Sequence, residues 1–165
     1  MIKLAVIYDS KSGNTKAAAS AIAAGMTSVE GIEAKIFSIN EVDESYIEES
    51  CGIVFGSPTY MAGPTADFYT WFEKDAGKLK LAGKLGGAFA TGRYIHGGED
   101  LTINVILDHM LVKGMMVYSG GGAFGHPIIH IGPAAINWDE ERFFETFRIY
   151  GERFARQASF VFSNK

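Results

Sequence analysis

One cysteine, Cys51, stands among 165 residues. A lone thiol cannot close an internal disulfide, which excludes a disulfide-stapled secreted scaffold and fits a reducing compartment; Cys51 itself reads as a small hydrophobe at a strand start. Basic residues are also short, with 15 Lys and Arg against 19 Asp and Glu, a net charge of -4 and a pI near 5.5. No basic surface is on offer to phosphate backbones, so nucleic-acid binding is not expected. The first apolar run stops at Asp9, too early for a signal-peptide core, and no run approaches the ~20 apolar residues of a membrane span. The expectation is a cytoplasmic protein without membrane insertion. Repeats, low-complexity tracts and linkers are missing too, so residues 1–165 read as a single domain. At 47% hydrophobic and 21% charged residues, such a chain buries a sizeable core without metals or disulfides.

What is present is an alternation of strand-like and helix-like segments. "IKLAVIY" (2–8) is a nearly continuous apolar run of strand length, as in a strand buried on both faces. "TKAAASAIAAGM" (15–26) is rich in the best helix former. "EAKIFSI" (33–39) alternates, "EVDESYIEES" (41–50) reads as a short acidic helix, and "CGIVFGS" (51–57) is a β-branched strand. In "TADFYTWFEKDAG", Phe68, Trp71 and Phe72 share one helical face. "LGGAFATG" (85–92) is a strand of small residues, "EDLTINVILDHMLVKG" (99–114) a helix, and "MMVYS" (115–119) a fifth strand with an added piece at 128–131. A final helix carries the stripe Phe143, Phe147, Tyr150 and Phe154 after an acidic start in "DEERFFE". This rhythm predicts an α/β domain with a doubly wound, five-stranded parallel sheet in three α/β/α layers.

Open α/β sheets bind ligands outside the carboxyl ends of their strands, where strand order reverses. The loops that fall there are "DSKSGNT" (9–15), "SPTYMAGP" (57–64) and "TGRYIHGGE" (91–99). They are rich in glycine, hydroxyls and aromatics and poor in paired carboxylates. In the first, outward N–H groups at a helix start join the donors of Ser10, Ser12, Asn14 and Thr15, while Gly13 permits a shape that other residues resist. An ordinary N-cap by Ser12 or Asn14 explains part of this, but not so many donors in one turn. The loop lacks the first glycine and the Gly-Lys pair of G-x-x-x-x-G-K-S/T, so it is no triphosphate P-loop. Ser57 stands where a phosphate-receiver domain needs an aspartate. A ligand with one phosphate and a planar body suits the set, with Pro58, Tyr60, Met61 and Tyr94 offering flat or apolar faces.

These residues resemble a known family. S-K-S-G-N-T at 10–15 is similar to the flavodoxin phosphate motif S/T-x-T-G-N-T, with Ser12 for the threonine. "GSPTYMAGP" (56–64) and "ATGRYIHGGED" (90–100) resemble the flavin-flanking loops of the flavodoxin-like NAD(P)H:quinone oxidoreductases of the WrbA type, as do "KGMMVYSGG" and "RIYGERFA". The resemblance implies FMN, its phosphate held by Ser10, Ser12, Gly13, Asn14 and Thr15. The ring would lie between Pro58, Thr59, Tyr60 and Met61 on one side and Thr91, Gly92, Arg93, Tyr94, Gly97 and Gly98 on the other. Flavin then carries the chemistry, which leaves the catalytic side chains unassigned beyond His96 and Arg93 as helpers.

Two functions follow. The leading expectation is an FMN-dependent oxidoreductase, in which NAD(P)H as transient donor passes hydride to the flavin and a quinone or other small acceptor takes the electrons. Tyr60 and Met61, in place of the tryptophan that many electron-carrier flavodoxins set beside the ring, favour it. The alternative is a one-electron carrier docking on a redox partner protein, with a third reading as an interaction module. A homo-oligomer stays open. "GGGAFG" (120–125) satisfies G-x-G-x-x-G, but Pro127 and the strand-like "IIHIG" follow it, so it reads as a flexible loop at the site's mouth. His126 and His130, four apart outside a helix, make a poor metal pair, and His109 reads as structural.

Overall fold

The apolar runs become neighbouring strands in the computed structural model of the chain, which describes residues 1–136 and 141–163. They are β1 (Ile2–Tyr8), β2 (Ile32–Ser38), β3 (Gly52–Pro58) and β4 (Leu85–Gly92), followed by the short β5 (Met116–Val117) and β6 (Ala134–Ile136). The helices are α1 (Asn14–Thr27), α2 (Glu44–Glu49), α3 (Ala66–Lys74), α4 (Glu99–Val112) and α5 (Glu141–Phe162). Strand order is β2-β1-β3-β4-β5, with β6 also beside β4, and each pairing is parallel. Chain order reverses at β1, whose neighbours are β2 and β3, so the crevice beyond Tyr8 and Pro58 is where a ligand is expected.

Side chains alternate across the sheet. Leu4, Val6, Val54 and Phe89 pack against α1 and α5 through Ala18, Ile22, Phe147, Tyr150 and Phe154. Ala5, Ile7, Ile53, Phe55 and Ala88 pack on the other face against Tyr46, Phe68, Phe72, Ile103 and Ile106 of α2, α3 and α4. Burial holds the Tyr150 hydroxyl well above its ordinary pKa, and it donates to the Tyr118 carbonyl at 3.2 Å. Asp139 and Glu140, read as part of the last helix's start, lie outside the described residues.

The fifth strand departs from expectation. Instead of 115–119 with a piece at 128–131, β5 pairs only with Leu85 and Gly86, and β6 rejoins the same side of β4 at Ala90, Thr91 and Gly92. Residues between them leave the sheet because Gly120, Gly121 and Gly125 take positive φ, which turns the chain away. Ile129, inside the predicted extra piece, instead buries its side chain in the core. The excursion is held rather than loose. Arg153 of α5 donates to the carbonyls of Gly120, Phe124, Gly125, His126 and Pro127 at 3.0–3.3 Å. Thus "GGGAFG", expected as a flexible loop, lies outside the sheet but carries a 3-10 turn at Gly122–Phe124 and is anchored by a guanidinium.

Helices α1 and α5 meet backbone to backbone. A Cβ on Gly25 would lie 1.8 Å from the Arg148 carbonyl oxygen, and one on Gly151 would lie 2.0 Å from that of Ile22. Gly151→Ala should therefore destabilise the fold by about 1–2 kcal/mol, since overpacking of about 1–3 kcal/mol outweighs the better helix propensity of alanine. The check is a lower urea midpoint at unchanged slope; a raised midpoint would show the helices are free to separate.

Candidate functional site

The chain leaves β1 through Asp9, a carboxylate only 4% exposed. It is kept in place from two sides: Thr65 donates its hydroxyl to it at 2.5 Å, and Lys11 lies 3.4 Å away. Thr65 also caps α3 by accepting the Phe68 N–H, and its own N–H goes to Ser57. Lys11 bonds Asp67 as well, and chiefly that bond holds its ammonium above the ordinary pKa. The basic side chain in the loop is thereby committed to carboxylates. Ser10 accepts the N–H groups of Gly13 (3.2 Å) and Lys16 (3.3 Å). Gly13 is the residue at the cap, at φ 98°, and no side chain caps from that position. The capping expected of Ser12 or Asn14 is therefore replaced by Ser10 from outside the helix. Ser12 and Asn14 are exposed, and the N–H groups of Asn14 and Thr15 have no acceptor among the described residues. Outward N–H groups, a positive helix end and free hydroxyl and amide side chains form a neutral anion cradle.

Thr15 is different. It is buried, and its hydroxyl shares a 2.8 Å hydrogen bond with that of Thr91 at the end of β4. Thr91 in turn accepts the Thr59 N–H on its carbonyl at 2.7 Å. Thr59 accepts from the Thr102 hydroxyl of α4. One chain of threonines thus spaces all three loops.

Beyond Pro58 and Thr59, both half-buried, the second loop makes a tight turn. Tyr60 and Gly63 exchange both backbone hydrogen bonds, at 2.9 and 3.1 Å. The two central residues, Met61 and Ala62, have φ 51° and 57°, left-handed values that cost non-glycine residues roughly 1–2 kcal/mol each. Met61 is wholly exposed and Tyr60 half-exposed. An open cavity of about 580 Å³ adjoins the turn, lined by Lys11, Tyr60, Met61, Pro64 and Tyr69 among others.

The third loop runs from Thr91 to Gly98. Arg93, Tyr94, Ile95 and His96 are exposed, with the Arg93 guanidinium 5.7 Å from the Tyr94 ring centroid. Gly97 closes a turn on the Tyr94 carbonyl, and His96 inside it has φ 60°. Gly98 presses on the second loop, where a Cβ would come within 2.7 Å of Ala62. Beneath the loop lies Glu99, 8% exposed, one of whose carboxylate oxygens has no partner among the described residues.

The predicted set Ser10, Ser12, Gly13, Asn14, Pro58, Thr59, Tyr60, Met61, Gly92, Arg93, Tyr94, Gly97 and Gly98 therefore converges on one edge, with Thr15 and Thr91 as its buried tie. Sequence reasoning missed Asp9, Ser57, Thr65, Thr102 and Glu99. An acid at the end of an apolar strand, and a threonine just before a helical stripe, are signals for Asp9 and Thr65; Ser57 and Glu99 fall inside the loops 57–64 and 91–99 without a role, and nothing in the sequence marked Thr102. The residues present fit a ligand with one phosphate and a planar ring: a cradle of orphan donors at one end, two flat-faced loops at the other.

Comparisons agree with the geometry and narrow it. The family model described as Flavodoxin matches residues 6–98. A flavodoxin of Clostridium saccharobutylicum is 41% identical over 98% of this chain and 100% of its own length. An NAD(P)H dehydrogenase (quinone) of Chromohalobacter salexigens is 29% identical over 71% of this chain and 70% of that protein. The fold of a WrbA-like flavodoxin from Agrobacterium tumefaciens superposes with TM-score 0.79 at 24% identity, over 96% of this chain and 98% of that one. The expectation of an NAD(P)H-dependent enzyme is corrected by the full-length match, which is to a flavodoxin, whereas the quinone dehydrogenase is more distant and matched in part. With its cradle, its strand order and this match, the chain belongs to the flavodoxin family.

Proposed function

We propose that the chain binds one FMN noncovalently at the carboxyl edge of its sheet and carries electrons singly between redox partner proteins. The observation that carries the reading is a neutral donor cradle and two exposed, flat-faced loops held at fixed spacing by Thr15 and Thr91. When bound, FMN supplies the redox chemistry.

The protein's own part is placement. The N–H groups of Asn14 and Thr15, with the side chains of Ser12 and Asn14, would hold the phosphate under the α1 dipole. Ser10 supports that turn from below through Gly13 and Lys16. Thr59, Tyr60 and Met61 would cover one side of the ring, and the backbone of Thr91–Gly98 would meet the other side or its edge. Tyr60, Met61, Tyr94 and Ile95, all exposed, form an apolar rim against which a partner protein can exclude water. No general acid or base is required of the side chains, which agrees with a carrier.

Three outcomes test this. Asn14→Ala should weaken FMN binding about 10-fold or more, as loss of a hydrogen bond to a charged group does, while leaving the flavin-free fold intact; fluorescence titration and thermal melts check it, and equal losses in both would return the loop to a mere cap. The FMN-loaded protein should take up electrons in two separate one-electron steps on reductive titration and should not oxidise NADH or NADPH without a partner reductase; rapid turnover with a quinone would contradict the carrier. Met61→Gly should stabilise the fold by about 0.5–1 kcal/mol by relieving the left-handed backbone, yet slow electron transfer to a partner by shrinking the rim; unchanged transfer would remove Met61 from the docking face.

A further inference from the structure

Glu99 opens α4 and is buried where the third loop crosses it. A Cβ placed on Gly92 would fall 1.6 Å from its Oε1, and one on Gly97 would fall 2.8 Å away. The carboxylate thus fills the space that any side chain at either glycine would need, and the loop is wrapped around it. Oε1 has no hydrogen-bond donor among the described residues. The α4 dipole favours negative charge at this position, but a buried carboxylate oxygen with no donor remains costly. In the same loop the peptide N–H groups of Arg93, Tyr94, Ile95, His96 and Gly98 have no acceptor among the described residues; Gly97 alone donates, to Tyr94. A strong orphan acceptor and several orphan donors therefore share one short segment, with glycines at 92, 97 and 98 to let its peptides turn.

We propose that Glu99 is a positioning residue for the flavin ring: its carboxylate accepts loop N–H groups and fixes the path of residues 92–98 once the ring covers them. The inference rests on the flavin-carrier reading above. In the exposed loop, water can serve the N–H groups. A ring laid over them removes that water, and those covered groups that the ring's own oxygens and nitrogens do not reach need a protein acceptor. Glu99 Oε1, buried against Gly92 and Gly97 and without a donor among the described residues, is an acceptor at hand for them. Hydrogen bonds to a charged oxygen are roughly twice as strong as neutral ones, so the cost of the orphan carboxylate in the flavin-free chain is offset when flavin binds. Glu99 touches the ring only through the loop it shapes.

The test is Glu99→Gln, which keeps shape and packing but removes the charge, measured beside wild type with FMN and with riboflavin. The flavin-free variant should melt higher, by about 2–4 °C, because a neutral amide is cheaper to bury unpaired. FMN and riboflavin should both bind weaker by the same factor, about 5–10-fold, because the defect lies at the ring rather than the phosphate. Glu99→Asp, too short to reach the loop N–H groups, should not restore affinity. A Glu99→Gln variant that melts lower, binds both flavins as wild type does, or loses FMN affinity alone overturns the assignment. Wild-type protein that takes up neither flavin overturns the carrier reading itself, an outcome distinct from the others.

Discussion

The 2.8 Å hydrogen bond between the hydroxyls of Thr15 and Thr91 is the constraint on which the site depends. Parallel pairing places the ends of β1, β3 and β4 along one edge, but register alone leaves the loops free to splay. Thr15 lies in the first turn of α1 and Thr91 near the end of β4, so their bond reaches across β3. The Thr91 carbonyl then takes the Thr59 N–H. The first loop is thereby tied to the loops that follow β3 and β4, at a spacing set by these hydrogen bonds and not by strand pairing alone.

Around that tie, burial and exposure divide the work. Asp9, Ser57, Thr65, Thr91, Glu99 and Thr102 are buried polar residues at one edge of an otherwise apolar core; Thr65 bonds both Asp9 and Ser57, Thr91 bonds Thr15, and Thr102 bonds Thr59. The residues above them are exposed and partly strained: Met61, Ala62 and His96 all hold left-handed backbones. Such strain persists only where its surroundings over-determine it. Here the surroundings are visible, since Tyr60 and Gly63 lock the turn and Gly98 fits beneath Ala62. Stability is thereby spent on the shape of the exposed second and third loops.

Much of this was legible in the sequence, and the illegible part has physical causes. The inner strands announced themselves because a strand buried on both faces must be apolar throughout, and the α5 stripe because one face of a long helix meets the core. The first-loop motif was legible because it is local: donors, glycine and helix start are contiguous. Partnerships across the sheet were not. Ser10 rather than Ser12 or Asn14 supports the α1 turn, a choice set by the geometry around Gly13. Glu99 closes the loop 91–99 with no role assigned to it, and only folding puts it against Gly92 and Gly97. The interrupted fifth strand was misread because "IIHIG" has strand composition, while the chain is led out of the sheet by its glycines and secured by Arg153, far off in sequence. The enzyme expectation leaned on Tyr60 and Met61, whose identities describe a surface but do not decide whether a nicotinamide or a protein approaches it.

The central claim is that the cradle selects a phosphate while the loops receive a ring. The most direct measurement is the ratio of affinities of the flavin-free chain for FMN and for riboflavin, which share the ring and differ in the phosphate. Two or more charge-assisted hydrogen bonds in the cradle predict FMN binding tighter by roughly 100-fold or more. Equal affinities, or no binding of either, would contradict the account.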